Sequence, residues 1–436
     1  MTPSLKVFRH RAYLHYWIMR QLISAARQMT AVAIGWQVYD LARLTRSVEE
    51  SALILGFVGL AQFFPVLSLS LVGGQAADRL DRRAILIVSN FVRISAILAL
   101  AATPLLMADS HPDRAIWAIF AAAAVLGGVN AFTPAASNAL YPNLVPRDEL
   151  PQAIAWNSLG FQAAAITGPA VGGLLYIAGA PVVYGTAAAM TGLAVLAIAT
   201  ANTPKHEPIV GARGLSMVIE GLRYVRRNQI VFGAISLDLI VVLFGGVTAL
   251  LPIFARDILH VGAEGLGLLR AAPAVGAAVV AFALASQPLS RQVGKWLLGA
   301  IAVYGLAMLG FAVSPWFWVS AGLLAVTGAA DMISVYVRSS LIQLATPDGM
   351  RGRVSSVSFI FISASNELGE FESGVAARFL GPVGAVVLGG VVALATAGAW
   401  VRLFPTLWRI NAFEDAAGLA EPPAAAPEPA ASSTTP

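Results

Sequence analysis

Gly74-Gln75-Ala76-Ala77-Asp78-Arg79-Leu80-Asp81-Arg82-Arg83 is a short polar, basic stretch set between two long apolar segments. The chain of 436 residues is 58% hydrophobic and only 12% charged, so this setting predicts a loop between two membrane helices. A soluble protein keeps about a quarter of its residues charged. In such a loop Gly74 lets helices approach closely, and Asp78 can offer a carboxylate to a neighbouring helix N-terminus. Arg79, Arg82 and Arg83 hold the loop on the cytoplasmic side.

Working outward, apolar segments long enough to span a bilayer tile the chain almost end to end. Twelve are expected, near 13–41, 51–75, 84–107, 115–140, 152–178, 181–201, 229–252, 263–287, 295–313, 316–345, 354–380 and 383–405. With the N-terminus inside, most Lys and Arg fall into cytoplasmic loops and both termini are cytoplasmic. The net charge of +5 then reflects topology rather than a nucleic-acid partner. The lack of Cys excludes disulfides and thiolate chemistry. The five His lack metal-ligand spacing, and no metal or cofactor is expected.

The polar stretch 202–228 divides six predicted spans from six, giving bundles at 1–201 and 229–405, a cytoplasmic linker between them and a mostly disordered tail at 406–436. Gly221 to Arg227 suggests an amphipathic piece lying on the inner surface. The halves repeat. Leu140, Pro146, Gly168 and Gly173 match Leu341, Pro347, Gly369 and Gly374, each pair 201 residues apart. Parallel repeats of this kind point to alternating access about a midplane site.

Ionisable residues inside spans cost several kcal/mol unless paired or hydrated, which makes them candidates by default. They are Arg20 and Arg27 in the first span, Arg93 in the third, Asp238 in the seventh, Arg270 in the eighth, Asp331 and Arg338 in the tenth, and Glu367 and Glu370 in the eleventh. At about 100° per residue Glu367 and Glu370 share a face, whereas Glu372 points nearly opposite Glu370. Asn130, Thr133, Pro134 and Asn138 give the fourth span a polar stripe suited to substrate hydrogen bonds. Gly168 and Gly172 allow close packing of the fifth span, and Pro169 favours a bend in it. Thr346-Pro347-Asp348 carries a helix-start signal: a capping hydroxyl, a Pro and an acid. It puts Arg351 and Arg353 at the cytoplasmic entrance to the eleventh span, where Arg351 could pair with Asp78.

The opening stretch resembles the signature of the major facilitator superfamily of transporters, with Ala76 and Asp81 standing where Leu and Gly are usual. Gly168-Pro169-Ala170-Val171-Gly172-Gly173 resembles the motif of antiporting exporters within it, although Ala164 replaces a Gly. Leu251-Pro252-Ile253-Phe254, Gly265 to Pro273, Thr346 to Val354 and Ser365 to Gly374 resemble the enterobactin-exporter-like branch. The resemblance runs from about residue 5 to 410. It implies an all-α protein of twelve transmembrane helices in two pseudo-symmetric bundles. It also implies a functional monomer of the bacterial inner membrane that exports a siderophore or drug-like compound by proton antiport. An importer on the same fold is the alternative, and a membrane sensor or intramembrane enzyme a more distant one. There is no His-Glu-x-x-His and no phosphate-cradling loop to support hydrolysis or an ATP-driven pump.

Overall fold

In a bilayer every backbone polar group must be satisfied within the chain, so apolar segments of this length become helices. The computed structural model describes residues 5–106, 112–203 and 215–417, and among them regular structure is helical throughout. Lys205, Arg213 and the part of the expected 406–436 tail beyond 417 lie outside the described residues, and the tail's first part, to 417, is largely helical. The first half comprises α1 (Arg11–Arg43), α2 (Val48–Arg79), α3 (Arg82–Leu106), α4 (Pro112–Leu140), α5 (Leu150–Tyr176) and α6 (Ala180–Thr200). A short α7 (Leu215–Arg227) precedes the second half. That half comprises α8 (Gln229–Phe244), a one-turn α9 (Leu251–Ile253), α10 (Ala263–Ser286), α11 (Val293–Val313), α12 (Phe317–Leu344) and α13 (Asp348–Leu403). Two short helices follow, α14 (Pro405–Arg409) and α15 (Phe413–Ala417).

Ten of these stretches are long and apolar enough to cross a membrane. One of them, α13, makes two crossings, because Gly381 takes φ 73° and ψ 165° and Pro382 follows it. Only glycine adopts that backbone without strain. With α1, whose Arg20, Gln21, Arg27 and Gln28 dilute its apolar character, the crossings number twelve.

Three local expectations need correction. The stretch from Gly74 to Arg83 is not a loop: α2 continues through Gly74 and Asp78 to Arg79, and only Leu80 and Asp81 separate it from α3. The close approach to α4 falls at Gly73, against Ala131 and Phe132, while the space beside Gly74 is open. The seventh span is not one helix. It breaks at Gly245-Gly246 and resumes through a tight turn, α9 and a wide turn to Ile258, the whole stretch long and apolar enough for one crossing. Thr346 does not cap α13. Its hydroxyl donates back to the Ile342 carbonyl at 2.5 Å, and Pro347 stands at the cap position.

The repeat seen in the sequence has a three-dimensional counterpart. A Cβ on Gly168 of α5 would meet Gln28 and Ala25 of α1, and one on Gly369 of α13 would meet Val242 and Leu243 of α8. A Cβ on Gly173 of α5 would meet Ala263 and Gly267 of α10, and one on Gly374 of α13 would meet Ala52 and Gly56 of α2. These two glycine pairs, each 201 residues apart, therefore pack on equivalent neighbours: Gly168 and Gly369 within their own halves, Gly173 and Gly374 across to the other half.

Candidate functional site

Between the halves lies a cavity of about 1200 Å³. Helices α1 to α4 line one wall, and residues 248–252 with α10 and α13 line the other. At one end it reaches Gly74 and Asp78 of α2, Val218 of α7 and Arg353 of α13, close to where the chain enters and leaves the bundle.

The opposite end is closed by contacts between the halves. Gly56 and Gly374 bring α2 and α13 backbone to backbone, with a Cβ on Gly56 placed 3.1 Å from the Gly374 Cα. Gly173 and Gly267 do the same for α5 and α10. Asp40 pairs with Arg256, Tyr39 donates to Asp257, and Arg378 reaches Glu50 at 3.4 Å. Small residues permit the approach, and the polar pairs fix its register.

Five ionisable groups lie deep in the cavity: Arg27 on α1, Arg93 on α3, Arg270 on α10, and Glu367 and Glu370 on α13. Glu367 interacts electrostatically with Arg27 and Arg270, and Glu370 with Arg270. The approach is made possible by glycine. A Cβ on Gly59 of α2 would stand 2.9 Å from the Glu370 Cβ, and one on Gly35 of α1 would stand 3.8 Å from an Arg270 Nη. The face reckoned from helical geometry is the one that lines the cavity, through Asn366, Glu367 and Glu370. With both acids ionised, three guanidinium and two carboxylate groups leave a formal balance of +1.

Other residues singled out in the sequence sit elsewhere. Asp238 and Arg338 form an ion pair inside the second half, each side chain 8% exposed, and Asp331 lies within their field rather than on the cavity wall. Arg20 donates to the Tyr16 hydroxyl at 3.0 Å and to Asn138 Oδ1 at 3.4 Å. Asn138 and Asn130 do line the cavity. Two of the basic residues after Asp78 act as helix caps: Arg82 donates to the Ala77 and Ala139 carbonyls at 3.2 and 2.8 Å, and Arg83 to that of Ala199. Arg351 does not turn to Asp78 here. It pairs with Asp348 at 2.7 Å, while Arg353 pairs with Glu220 of α7 at 2.7 Å. Gly168, Pro169, Gly172 and Gly173 belong to the packing of α5 on α1 and α10.

Arg93, one of the intramembrane ions evident in the sequence, joins the site only in the structure. Its side chain is 3% exposed, its Nη2 donates to Asn130 Oδ1 at 3.1 Å, and its Nε has no partner. The signal was present in the sequence, an Arg in the middle of an apolar span, but its want of a carboxylate is visible only in three dimensions.

A bundle of twelve crossings among the described residues, in two repeated halves closed at one end and hollow at the other around buried charges, has the architecture of a membrane transporter. The chain matches the transmembrane secretion effector family of the major facilitator superfamily over residues 2–428, and it belongs to that family. It is 26% identical over 393 residues to the enterobactin exporter EntS of Escherichia coli O1:K1 / APEC, covering 89% of this chain and 86% of that protein. It is 27% identical, over the same shares, to the enterobactin exporter EntS of Citrobacter koseri. Among solved structures, a D-xylose-proton symporter superposes with a TM-score of 0.67 at 12% identity, covering 93% of this chain and 98% of that one. A bacterial homologue of ferroportin in its inward-facing state gives 0.66 at 16% identity, covering 90% and 99%. These likenesses establish the fold.

Proposed function

We propose that this protein is an inner-membrane exporter that carries a siderophore or amphipathic drug-like compound out of the cytoplasm in exchange for protons. The cavity open at the Asp78 end and sealed at the Gly56–Gly374 end carries the reading. With both termini cytoplasmic, that opening faces the cytoplasm, so cargo enters from inside. The bundles 1–201 and 229–405 rock about the cavity, joined by the linker 202–228, and a single chain suffices. The similarity to proteins named enterobactin exporters supports outward transport. It favours a carrier over an enzyme.

Glu367 and Glu370 are the proton carriers in this reading. When ionised they accept hydrogen bonds from hydroxyl, amide or ammonium groups of the cargo. When protonated they lose the negative charge and part of that acceptor capacity, and the new O–H donates instead, so proton and cargo compete on one wall. The proton gradient is the driving force.

Inverted vesicles with an acidified interior test this, with enterobactin and ethidium as cargo probes. The reading expects one of them to accumulate inside and to leak out when a protonophore collapses the gradient. Gradient-driven uptake of either probe into right-side-out vesicles instead would make the protein an importer.

A further inference from the structure

Arg93 is a buried cation with no anion paired to it among the described residues. Among the described residues no carboxylate forms an ion pair with it, and its one hydrogen-bond partner is the neutral amide of Asn130. The charge that acts on it electrostatically is another cation, Arg27. Both guanidinium groups line the same cavity wall; the carboxylates Glu367 and Glu370 belong to the opposite wall, from which Glu367 acts on Arg27, whereas Arg93 feels neither acid. Within a membrane span an ion left in this condition is expensive, and the expense persists unless a counter-charge arrives.

We infer that Arg27 and Arg93, with Asn130 orienting Arg93, form a subsite for a carboxylate or similar planar anionic group on the cargo. The planar guanidinium fork suits this, since it binds a carboxylate through two parallel N–H donors. The unused Nε of Arg93 is one donor of such a fork. Asn130 holds Arg93 by one nitrogen only, leaving further donors for a ligand. Gln28, Gln62 and Asn138 on the same wall extend the polar surface with neutral groups that do not repel an anion. The cargo is thus bipolar: an anionic end against α1 and α3, and a hydrogen-bond donor end against the acids of α13. This deepens the export reading by naming the chemistry at one pole of the cargo.

The test is equilibrium binding of 2-naphthoate and of 2-naphthamide, which share a ring system and differ in charge, to the full chain in lipid nanodiscs by titration calorimetry. The inference expects naphthoate to bind at least tenfold tighter. Arg93→Gln erases the preference while naphthamide binding stays, and Arg93→Lys restores part of it. Should Arg93→Gln not fold, Asn130→Asp places a carboxylate beside Arg93 and is expected to abolish the preference by occupying the site from within. Equal binding of the two probes to the unaltered protein, or a preference that survives either variant, overturns the inference. No gradient is involved. Loss of transport with the preference intact would therefore count against the export reading alone, and the converse against the anion subsite alone.

Discussion

The two walls of the cavity come from repeated halves of one fold, yet they carry opposite chemistry. The first-half wall holds Arg27 and Arg93 deep inside, and among the described residues its lining has no carboxylate until Asp78 at the mouth. The second-half wall holds Glu367 and Glu370 with Arg270. The divergence is sharpest at one aligned pair, where Pro169 of α5 corresponds to Glu370 of α13, 201 residues on. Both residues lie at a seam between the halves: Pro169 presents its carbonyl to Gly267, and Glu370 packs over Gly59. A repeat supplies the packing frame twice, and the positions inside that frame are free to carry different functions. Here the frame is kept by glycines, and the chemistry by residues next to them.

The largest effect should come from removing the acid at the seam. Glu370→Gln keeps size and hydrogen-bonding capacity but cannot ionise, so proton-driven accumulation should fall by about two orders of magnitude or more, with cargo binding retained. Glu372→Gln, off the cavity lining, should change transport by less than about twofold, in keeping with residues outside a functional cluster. Measured side by side in inverted vesicles, equal losses in the two variants would dissolve the distinction between the faces of α13.

A second comparison sets the cavity acids against an acid whose role is structural. Asp238 is sealed against Arg338, and cutting one partner from a buried pair costs about 3–5 kcal/mol. Asp238→Asn should therefore lower the thermal unfolding temperature of the detergent-solubilised protein, whereas Glu370→Gln should leave it near that of the parent. The opposite ranking would mean that Glu370 is held in a fixed ion pair and Asp238 is not.

Much of this was legible in the sequence. Apolar length and charge topology suffice for the crossings, and one constant spacing of glycines exposes the repeat, because close backbone approach leaves no substitute for Gly at those points. The helical angle separates Glu367 and Glu370 from Glu372. The sequence did not show which charges meet. Arg27 and Arg338 look alike as isolated arginines in apolar spans. One faces a cavity shared with Glu367 and the other is locked to Asp238, and the difference depends on which helices become neighbours. The break at Gly245-Gly246 was missed because consecutive glycines in a membrane span also serve packing, and only the backbone path distinguishes the two uses. Asp78 was read as part of a loop because charges usually end a helix, whereas here α2 runs one turn further into the aqueous side.

The proposed export direction requires that the open end of the cavity, at Asp78, face the cytoplasm. The chain has no cysteine, so a single Ser363→Cys substitution on the cavity wall provides one labelling site with no background. A membrane-impermeant maleimide should modify it in inverted vesicles, where the cytoplasmic face is outward, and leave it unmodified in right-side-out vesicles. Labelling in right-side-out vesicles with protection in inverted ones would contradict the account.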